Sequence, residues 1–172
     1  MPRNVVTDRP AVALEDLIST AQHCCVALGN VVLTRSLCAP DPAFLRDWTN
    51  AVLNHAKAHP QGLGLIIIID ENAPPPTEAE RTPIKNAYVA TQSVVRGVVQ
   101  IVEGAGFMAA AKRGAMAVIN LATGIGVPIK VAGNIAEGTP LLRKLLGPAM
   151  DTRLDAAALT RASDSLRARL SP

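Results

Sequence analysis

The sequence predicts an α/β domain with a mixed sheet of four to five strands, an N-terminal β-hairpin and helices packed on the sheet. Apolar, β-branched runs alternate with helix-like stretches, and the most regular run, residues 65–69, precedes Asp70 and a proline-rich loop. A continuous apolar run is typical of a strand buried on both faces. Hydrophobic residues make up 49% of the chain and aromatic residues only 2%, which indicates an aliphatic core. We expect residues 65–69 to form a central strand.

The length favours one domain. A chain of 172 residues can bury a sizeable core, and single domains cluster near ~100–150 residues. We divide the sequence into an N-terminal extension with a short helix, residues 1–22, an α/β domain, residues 23–147, and a C-terminal helix, residues 148–172.

Composition argues against several classes of function. The net charge is +3 and the basic residues are dispersed, which does not predict nucleic-acid binding. The longest apolar runs fall far short of the ~20 residues of a membrane-spanning helix. The cysteines number three, two of them adjacent, so no disulfide framework is expected. We see no signal-peptide pattern and expect a cytoplasmic protein.

The first elements are predicted from spacing and turn chemistry. Apolar residues at Leu14, Leu17 and Ile18 predict a short helix over residues 12–21. Residues 23–37 are mostly apolar or β-branched and are interrupted by Gly29-Asn30. Because glycine comes first, that pair suits a type II′ turn, and a β-hairpin is expected there.

The next helices have clear start signals. Asp41-Pro42 predicts a helix start, with aspartate as N-cap and proline in the first turn. The Thr77-x-x-Glu80 sequence has the form of a capping box and predicts a helix from about residue 78. Pro83 leaves two alternatives for that segment, a kinked helix or a second helix that restarts at the proline.

The rest of the chain continues the alternation. Residues 94–102 are predicted as a strand, 107–122 as an alanine-rich helix and 128–132 as a short strand. Asn134-x-x-Glu137 predicts a capped helix through residue 146. The last helix, within residues 152–170, packs either on its own domain or on a second subunit. Both this leucine-lined helix and the outer strand of the hairpin are candidate surfaces of a C2 homodimer.

This order of elements resembles the STAS-like fold of bacterial anti-sigma-factor antagonists and the related SEC14 lipid-binding group. The resemblance covers residues 26–146, and its closest residue-level similarity is the strand-to-helix turn at residues 102–113. It implies a non-catalytic interaction or regulatory module. A protein partner would dock on the loop at residues 74–76, the helix from Thr77 and the turn at residues 104–113.

The signalling members of the STAS-like group carry a phosphorylatable serine or threonine where the helix after the central strand begins, within an Asp-Ser-Ser-Gly-like sequence. The corresponding segment here is Asp70-Glu71-Asn72 followed by prolines. Thr77 is the only hydroxyl-bearing residue near that helix start.

Candidate site residues cluster at the predicted carboxyl ends of the strands. Ligands of α/β sheets bind at that edge, where Asp70, Glu71 and Glu103 would form an acidic rim. Lys112 and Arg113 are candidates for contact with an anion or an acidic partner. The candidate partner-binding or ligand-binding residues are Asp70, Glu71, Thr77, Glu103, Gly104, Gly106, Phe107, Lys112 and Arg113.

Two alternative functions have their own signals. Gly104-x-Gly106-x-x-Ala109 satisfies a dinucleotide-binding pattern between a strand and a helix. Glu103 beside it would repel phosphate, and the following strand ends on Gly133-Asn134 rather than an acid, so a tight turn is favoured over a nucleotide-binding enzyme. The apolar composition favours a small-molecule or lipid-binding domain, which requires an enclosed apolar pocket.

The sequence predicts neither a metal site nor another cofactor. His55 and His59 are four residues apart, but the glutamate of a metalloprotease motif is absent. Cys24 and Cys25 lie in a predicted strand whose alternation sends neighbours to opposite faces. We expect these thiols to be buried as small apolar groups.

Overall fold

The computed structural model describes residues 12–170, except for the side chains of residues 121–123. It contains one six-stranded mixed sheet, in which the strands lie in chain order. The first three strands are antiparallel, whereas the third to sixth are parallel. The α/β class is confirmed, and the sheet has one strand more than the upper prediction. The strands are β1 (Leu14–Ser19), β2 (His23–Leu28), β3 (Val31–Ser36), β4 (Leu63–Ile69), β5 (Val95–Val102) and β6 (Ile129–Ala132).

A helix follows each of the parallel strands, and a fifth helix completes the described chain. Helices α1, α2 and α3 cover one face of the sheet, and α4 and α5 cover the other. Connections between neighbouring parallel strands are right-handed as a rule, which places successive crossover helices on the same face. The helices are α1 (Pro42–Ala56), α2 (Glu78–Thr91), α3 (Gly106–Thr123), α4 (Ile135–Leu146) and α5 (Ala156–Leu170), with a 3-10 turn at Gly147–Ala149.

The helix predicted over residues 12–21 is wrong, because this segment contains strand β1, which pairs with β2. The register shifts between Asp16 and Ile18, and such a bulge breaks the two-residue alternation of a strand. Leu17 and Ile18 consequently both pack against the core. That pair of adjacent, half-buried apolar residues resembles helical spacing in the sequence. The outer edge of β2 is therefore covered, and this segment belongs to the sheet rather than to a helical extension.

Local turn and capping signals explain where most other elements begin. Gly29 adopts a φ of 57° in the β2–β3 turn. The Oδ1 atom of Asp41 accepts a hydrogen bond from the backbone N–H of Phe44 at 2.8 Å, as expected of an N-cap. Helix α2 runs continuously through Pro83, so the restart alternative is wrong.

Two apolar cores enclose the sheet. Strand β4 lies in the middle of the parallel strands, as predicted, and residues 65, 66 and 68 of it are fully buried. Helix α5 packs on its own sheet through Leu159 and Leu166, which decides between the two packings left open for it. Cys24 and Cys25 are buried free thiols on opposite faces of β2, as predicted.

Helix α4 approaches the sheet closely. A Cβ atom added to Gly97 in β5 would lie 2.7 Å from the Cβ of Leu145. Glycine is therefore the residue that permits this helix-to-strand distance. Within residues 12–170, no helix is long and apolar enough to cross a lipid bilayer.

Candidate functional site

A cavity of about 120 Å³ lies between the sheet and helices α1, α2 and α3. Its floor consists of side chains from β3, β4 and β5, and its walls come from the three helices and the loop before α2. Most of the lining is apolar, which is the usual character of a small-molecule site. Apolar side chains in the lining include Phe44, Leu45, Ile67, Ile69, Ile84, Met116, Ile119 and Ile125.

Strand alternation puts small polar residues on the cavity floor. In β3, Val31 and Leu33 pack in the core beneath α4 and α5, while Thr34 and Ser36 point to the other face and line the cavity. Gln100 of β5 lines the same floor. Short side chains in β3 leave space that bulkier aliphatic residues would fill.

A hydrogen-bonded pair stands on the α1 side of the cavity. The indole Nε1–H of Trp48 donates to the hydroxyl of Thr34 at 2.9 Å. That hydroxyl donates in turn to the Sγ atom of Cys25 at 3.4 Å. Trp48 and Thr34 are both buried, so the Thr34 hydroxyl provides the acceptor for an indole N–H that water does not reach.

A second polar group stands on the α2 and α3 side. The Nδ2 of Asn120 donates to the Oε1 of Gln100 at 2.9 Å. Burial raises the pKa of Tyr88 to about 12, although its hydrogen bond with Gln100 acts in the opposite direction. The Tyr88 phenol is therefore neutral, and Gln100 and Asn120 pair with each other beside it.

Asp70 and Glu103 of the predicted acidic rim lie on the α5 side of the sheet edge, where both are paired with arginines. Arg35 of β3 is buried and donates hydrogen bonds to Asp70 at 2.9 Å and to Glu103 at 2.6 and 2.9 Å. Arg167 of α5 donates to Glu103 at 2.7 Å. The two carboxylates are thus neutralised by guanidinium groups and are poorly suited to acid–base catalysis.

Sequence reasoning brought Asp70 and Glu103 together but missed both arginines. A signal for Arg35 exists, because it is the only charged residue in the otherwise uncharged segment 23–37. The side chain of Asp70 is largely buried, which alone would raise its pKa. The N–H of Asn72 and the guanidinium of Arg35 outweigh burial and lower the pKa of Asp70 below its usual value.

Lys112 and Arg113 hold loops rather than presenting free charge. The Nζ of Lys112 donates to the carbonyls of Asp70 at 3.0 Å and Glu71 at 3.3 Å, and also to that of Ala73. Arg113 donates to the carbonyl of Val102 at the end of β5, at 3.4 Å, and to that of Gly104 in the β5–α3 turn, at 3.5 Å. Both cations therefore stabilise the neighbouring turns.

The remaining predicted residues have distinct positions. Thr77 is the N-cap of α2, and Glu80 accepts hydrogen bonds from its backbone N–H and its hydroxyl, both at 2.7 Å. Gly104 and Gly106 have φ values of 110° and 77°, which favour glycine. Phe107 is 84% exposed at the start of α3.

The dinucleotide-like turn is bordered by acids. A Cβ atom added to Gly104 would meet the Cβ of Glu71 at 3.4 Å, and Glu103 directly precedes this glycine. Carboxylates at these positions oppose the approach of a phosphate. Nucleotide binding here stays a prediction without a supporting contact.

The histidine side chains contact other groups of the protein. The Nε2 of His55 lies 2.8 Å from the carbonyl oxygen of Gly29, and the His55 and His59 rings are 4.6 Å apart. His23 is buried against Phe44, and burial lowers its pKa although Asp41 acts in the opposite direction. Across the described part of the chain, no group of three or more histidine, cysteine, aspartate or glutamate residues is arranged to hold a metal ion.

Comparisons with protein-family models, curated proteins and solved structures found no match to this chain. The STAS-like resemblance therefore stays a prediction based on the order of elements and on the turn at residues 102–113.

Proposed function

We propose that this chain is a binding domain for a small, largely apolar molecule, held between the sheet and helices α1 to α3. The single observation that carries the proposal is the cavity of about 120 Å³. An apolar cavity of about 150 Å³ binds benzene, so the space here suits a ligand group of similar size.

The contacts around the cavity support binding rather than catalysis. Trp48, Thr34, Gln100 and Asn120 form hydrogen bonds within the protein. Among the described residues, the lining contains no aspartate, glutamate, histidine or cysteine. Apolar walls with a few paired polar groups are suited to fixing the orientation of a bound ligand.

Native mass spectrometry of the chain purified from its own host tests the proposal. The native spectrum is expected to show a small organic adduct that disappears on denaturation. Ile67→Trp should abolish the adduct, because the indole would occupy the space above β4. Ile67→Val changes the same position without filling the cavity and should retain it.

A solution assay complements the spectrum. Trp48 is the only tryptophan of the chain and lines the cavity, so its fluorescence reports occupancy directly. Toluene and indole serve as neutral apolar ligands, with indole followed by calorimetry because it fluoresces. The proposal fails when the purified chain carries no adduct and neither compound binds.

A second candidate function is the interaction module that the STAS-like resemblance implies. Phe107, Met108 and Val118 of α3 are 84%, 77% and 65% exposed, and exposed apolar groups of this kind mark association surfaces. We assign this face of α3 to self-association with a second copy of the chain. Sedimentation should detect a dimer that Phe107→Asp dissociates, whereas a parent protein that stays monomeric at high concentration contradicts self-association. Phe107 is a better test than Lys112 or Arg113, because those cations hold the adjacent turns.

A further inference from the structure

Among the described residues, the charged side chains that line the cavity are of one sign. Two of the lining residues that the structure describes are charged, Arg81 and Lys85, and both are cations. They lie one helical turn apart on α2 and are exposed. Residues four apart project from the same side of a helix, so both cations line the cavity from one side of α2.

Arg81 has a defined place at the cavity mouth. Its Nε donates a hydrogen bond to the carbonyl of Pro76 at 3.2 Å, and Pro76 itself lines the cavity. This bond uses the Nε–H and leaves the terminal nitrogens of the guanidinium for another acceptor. The contact holds the charge at the junction between the loop and α2.

Neither cation has an acidic partner within the described residues. The ion pairs there involve other arginines and one histidine. Glu80, which is on the same helix, has its carboxylate engaged by Thr77. Arg81 and Lys85 lie at the rim of an apolar cavity and, within the described part of the chain, are not paired with a carboxylate there. They are therefore complementary to an anionic group on a bound molecule.

From this arrangement we infer that the ligand is a small organic carboxylic acid, with an aromatic or short aliphatic body in the cavity and its carboxylate at Arg81 and Lys85. The inference rests on the proposed function and adds the chemical class of the ligand. The cavity volume limits the body to about the size of benzene. Because Gln100 and Asn120 pair with each other inside the cavity, we place the carboxylate of the ligand at the mouth.

Isothermal titration calorimetry with matched ligands tests the inference. Phenylacetate and hexanoate supply the carboxylate, while phenylacetamide and hexanamide keep the same bodies without charge. We expect each acid to bind roughly tenfold tighter than its amide, since charge-assisted hydrogen bonds exceed neutral ones by about that factor. Trp48 fluorescence checks that all four ligands reach the cavity.

Two double variants assign the preference to the mouth. Arg81→Gln with Lys85→Gln should weaken the acids to the affinity of the amides and leave the amides unchanged. Lys144→Gln with Arg161→Gln removes the same charge from exposed positions on α4 and α5, across the sheet. This control pair should retain the preference for acids.

Each outcome separates the two proposals. Equal affinities of acid and amide in the parent protein overturn the carboxylate inference and leave the binding function supported. If both double variants lose the preference for acids equally, the preference reflects net charge alone. This outcome also overturns the assignment of the carboxylate to Arg81 and Lys85. Failure of all four ligands overturns the carboxylate inference. When toluene and indole also fail and the purified chain carries no adduct, the binding function is overturned as well.

Discussion

Arg35 donates two hydrogen bonds to Glu103, from Nη1 to Oε1 at 2.9 Å and from Nη2 to Oε2 at 2.6 Å. Arg35 belongs to β3 and Glu103 follows β5, so the contact passes over the end of β4 between them. Asp70 follows β4 and accepts a further bond from Arg35 at 2.9 Å. One buried guanidinium therefore connects the ends of three neighbouring strands.

Replacing this guanidinium should be costly. Removing one partner of a buried ion pair costs about 3–5 kcal/mol, because the other charge stays buried without compensation. We expect Arg35→Met to fall near the lower end of that range, since Glu103 and Asp70 keep some exposure. Urea denaturation measures the loss of unfolding free energy.

Arg167→Met is the matched control, because Arg167 also pairs with Glu103 but is more than half exposed. Exposed ion pairs contribute about 0–1 kcal/mol. Equal losses in the two variants would contradict the distinction between buried and exposed pairing.

Stability should depend on pH through Asp70. Its pKa is lowered in the fold because contacts from Asn72 and Arg35 outweigh burial. A group with a lowered folded-state pKa contributes stability above its unfolded pKa and loses it as the pH falls through the folded pKa. We therefore expect Asp70→Asn to be less stable than the parent at pH 7, with the difference disappearing over roughly pH 5 to 2.

Urea unfolding of both proteins across that pH range tests the prediction. A difference in unfolding free energy that stays constant down to pH 2 would show that ionisation of Asp70 is not its source.

The hydroxyl of Thr34 should matter more than that of another buried threonine. Thr34→Val leaves the indole N–H of Trp48 without its acceptor, and an unsatisfied buried donor costs about 1–3 kcal/mol. Thr139 is also buried, but its hydroxyl donates to the carbonyl of Ile135 within α4. Thr139→Val should cost under about 1 kcal/mol, because the Ile135 carbonyl still accepts a backbone hydrogen bond within the helix and the substitution leaves no buried donor unpaired.

Thermal unfolding compares the two threonine variants, and Trp48 emission reports the environment of the indole. An equal or larger loss for Thr139→Val would contradict the importance of the Thr34–Trp48 contact.

Two glycines should respond oppositely to alanine. Gly97→Ala would place a methyl group 2.7 Å from the Cβ of Leu145, and overpacking of this kind costs about 1–3 kcal/mol. Gly114 lies in α3 with no atom within 4 Å of an added Cβ. Gly114→Ala should stabilise the protein by up to about 1 kcal/mol through helix propensity.

Differential scanning calorimetry of the two alanine variants gives the sign directly. Stabilisation by Gly97→Ala would show that α4 can move away from the sheet without loss.

Some parts of the fold were predictable because their causes are local. The cap at Asp41, the turn at Gly29-Asn30 and the continuous apolar run of β4 each depend on a few adjacent residues. Strand β1 was not predictable in this way, since its bulge makes Leu17 and Ile18 both face the core. Only the pairing with β2 distinguishes that pattern from helical spacing.

The candidate site was predicted less completely than the fold. The carboxyl edge of the sheet was correctly identified as the place where Asp70 and Glu103 meet. The cavity was not located, because Trp48, Gln100 and Asn120 are far apart in the chain and meet only when α1 and α3 pack on the sheet. Lys112 and Arg113 were assigned to partner binding, whereas the fold directs them to backbone carbonyls.

By itself, the sequence determined the α/β class, the central position of β4 and the opposite facing of Cys24 and Cys25. These properties follow from hydrophobic pattern and local turn chemistry, which act over a few residues. Tertiary structure alone decided the cavity, the Arg35 cluster and the packing of α5 on its own sheet. Those features depend on distances between residues far apart in the chain, and such distances exist only after helices and strands have packed.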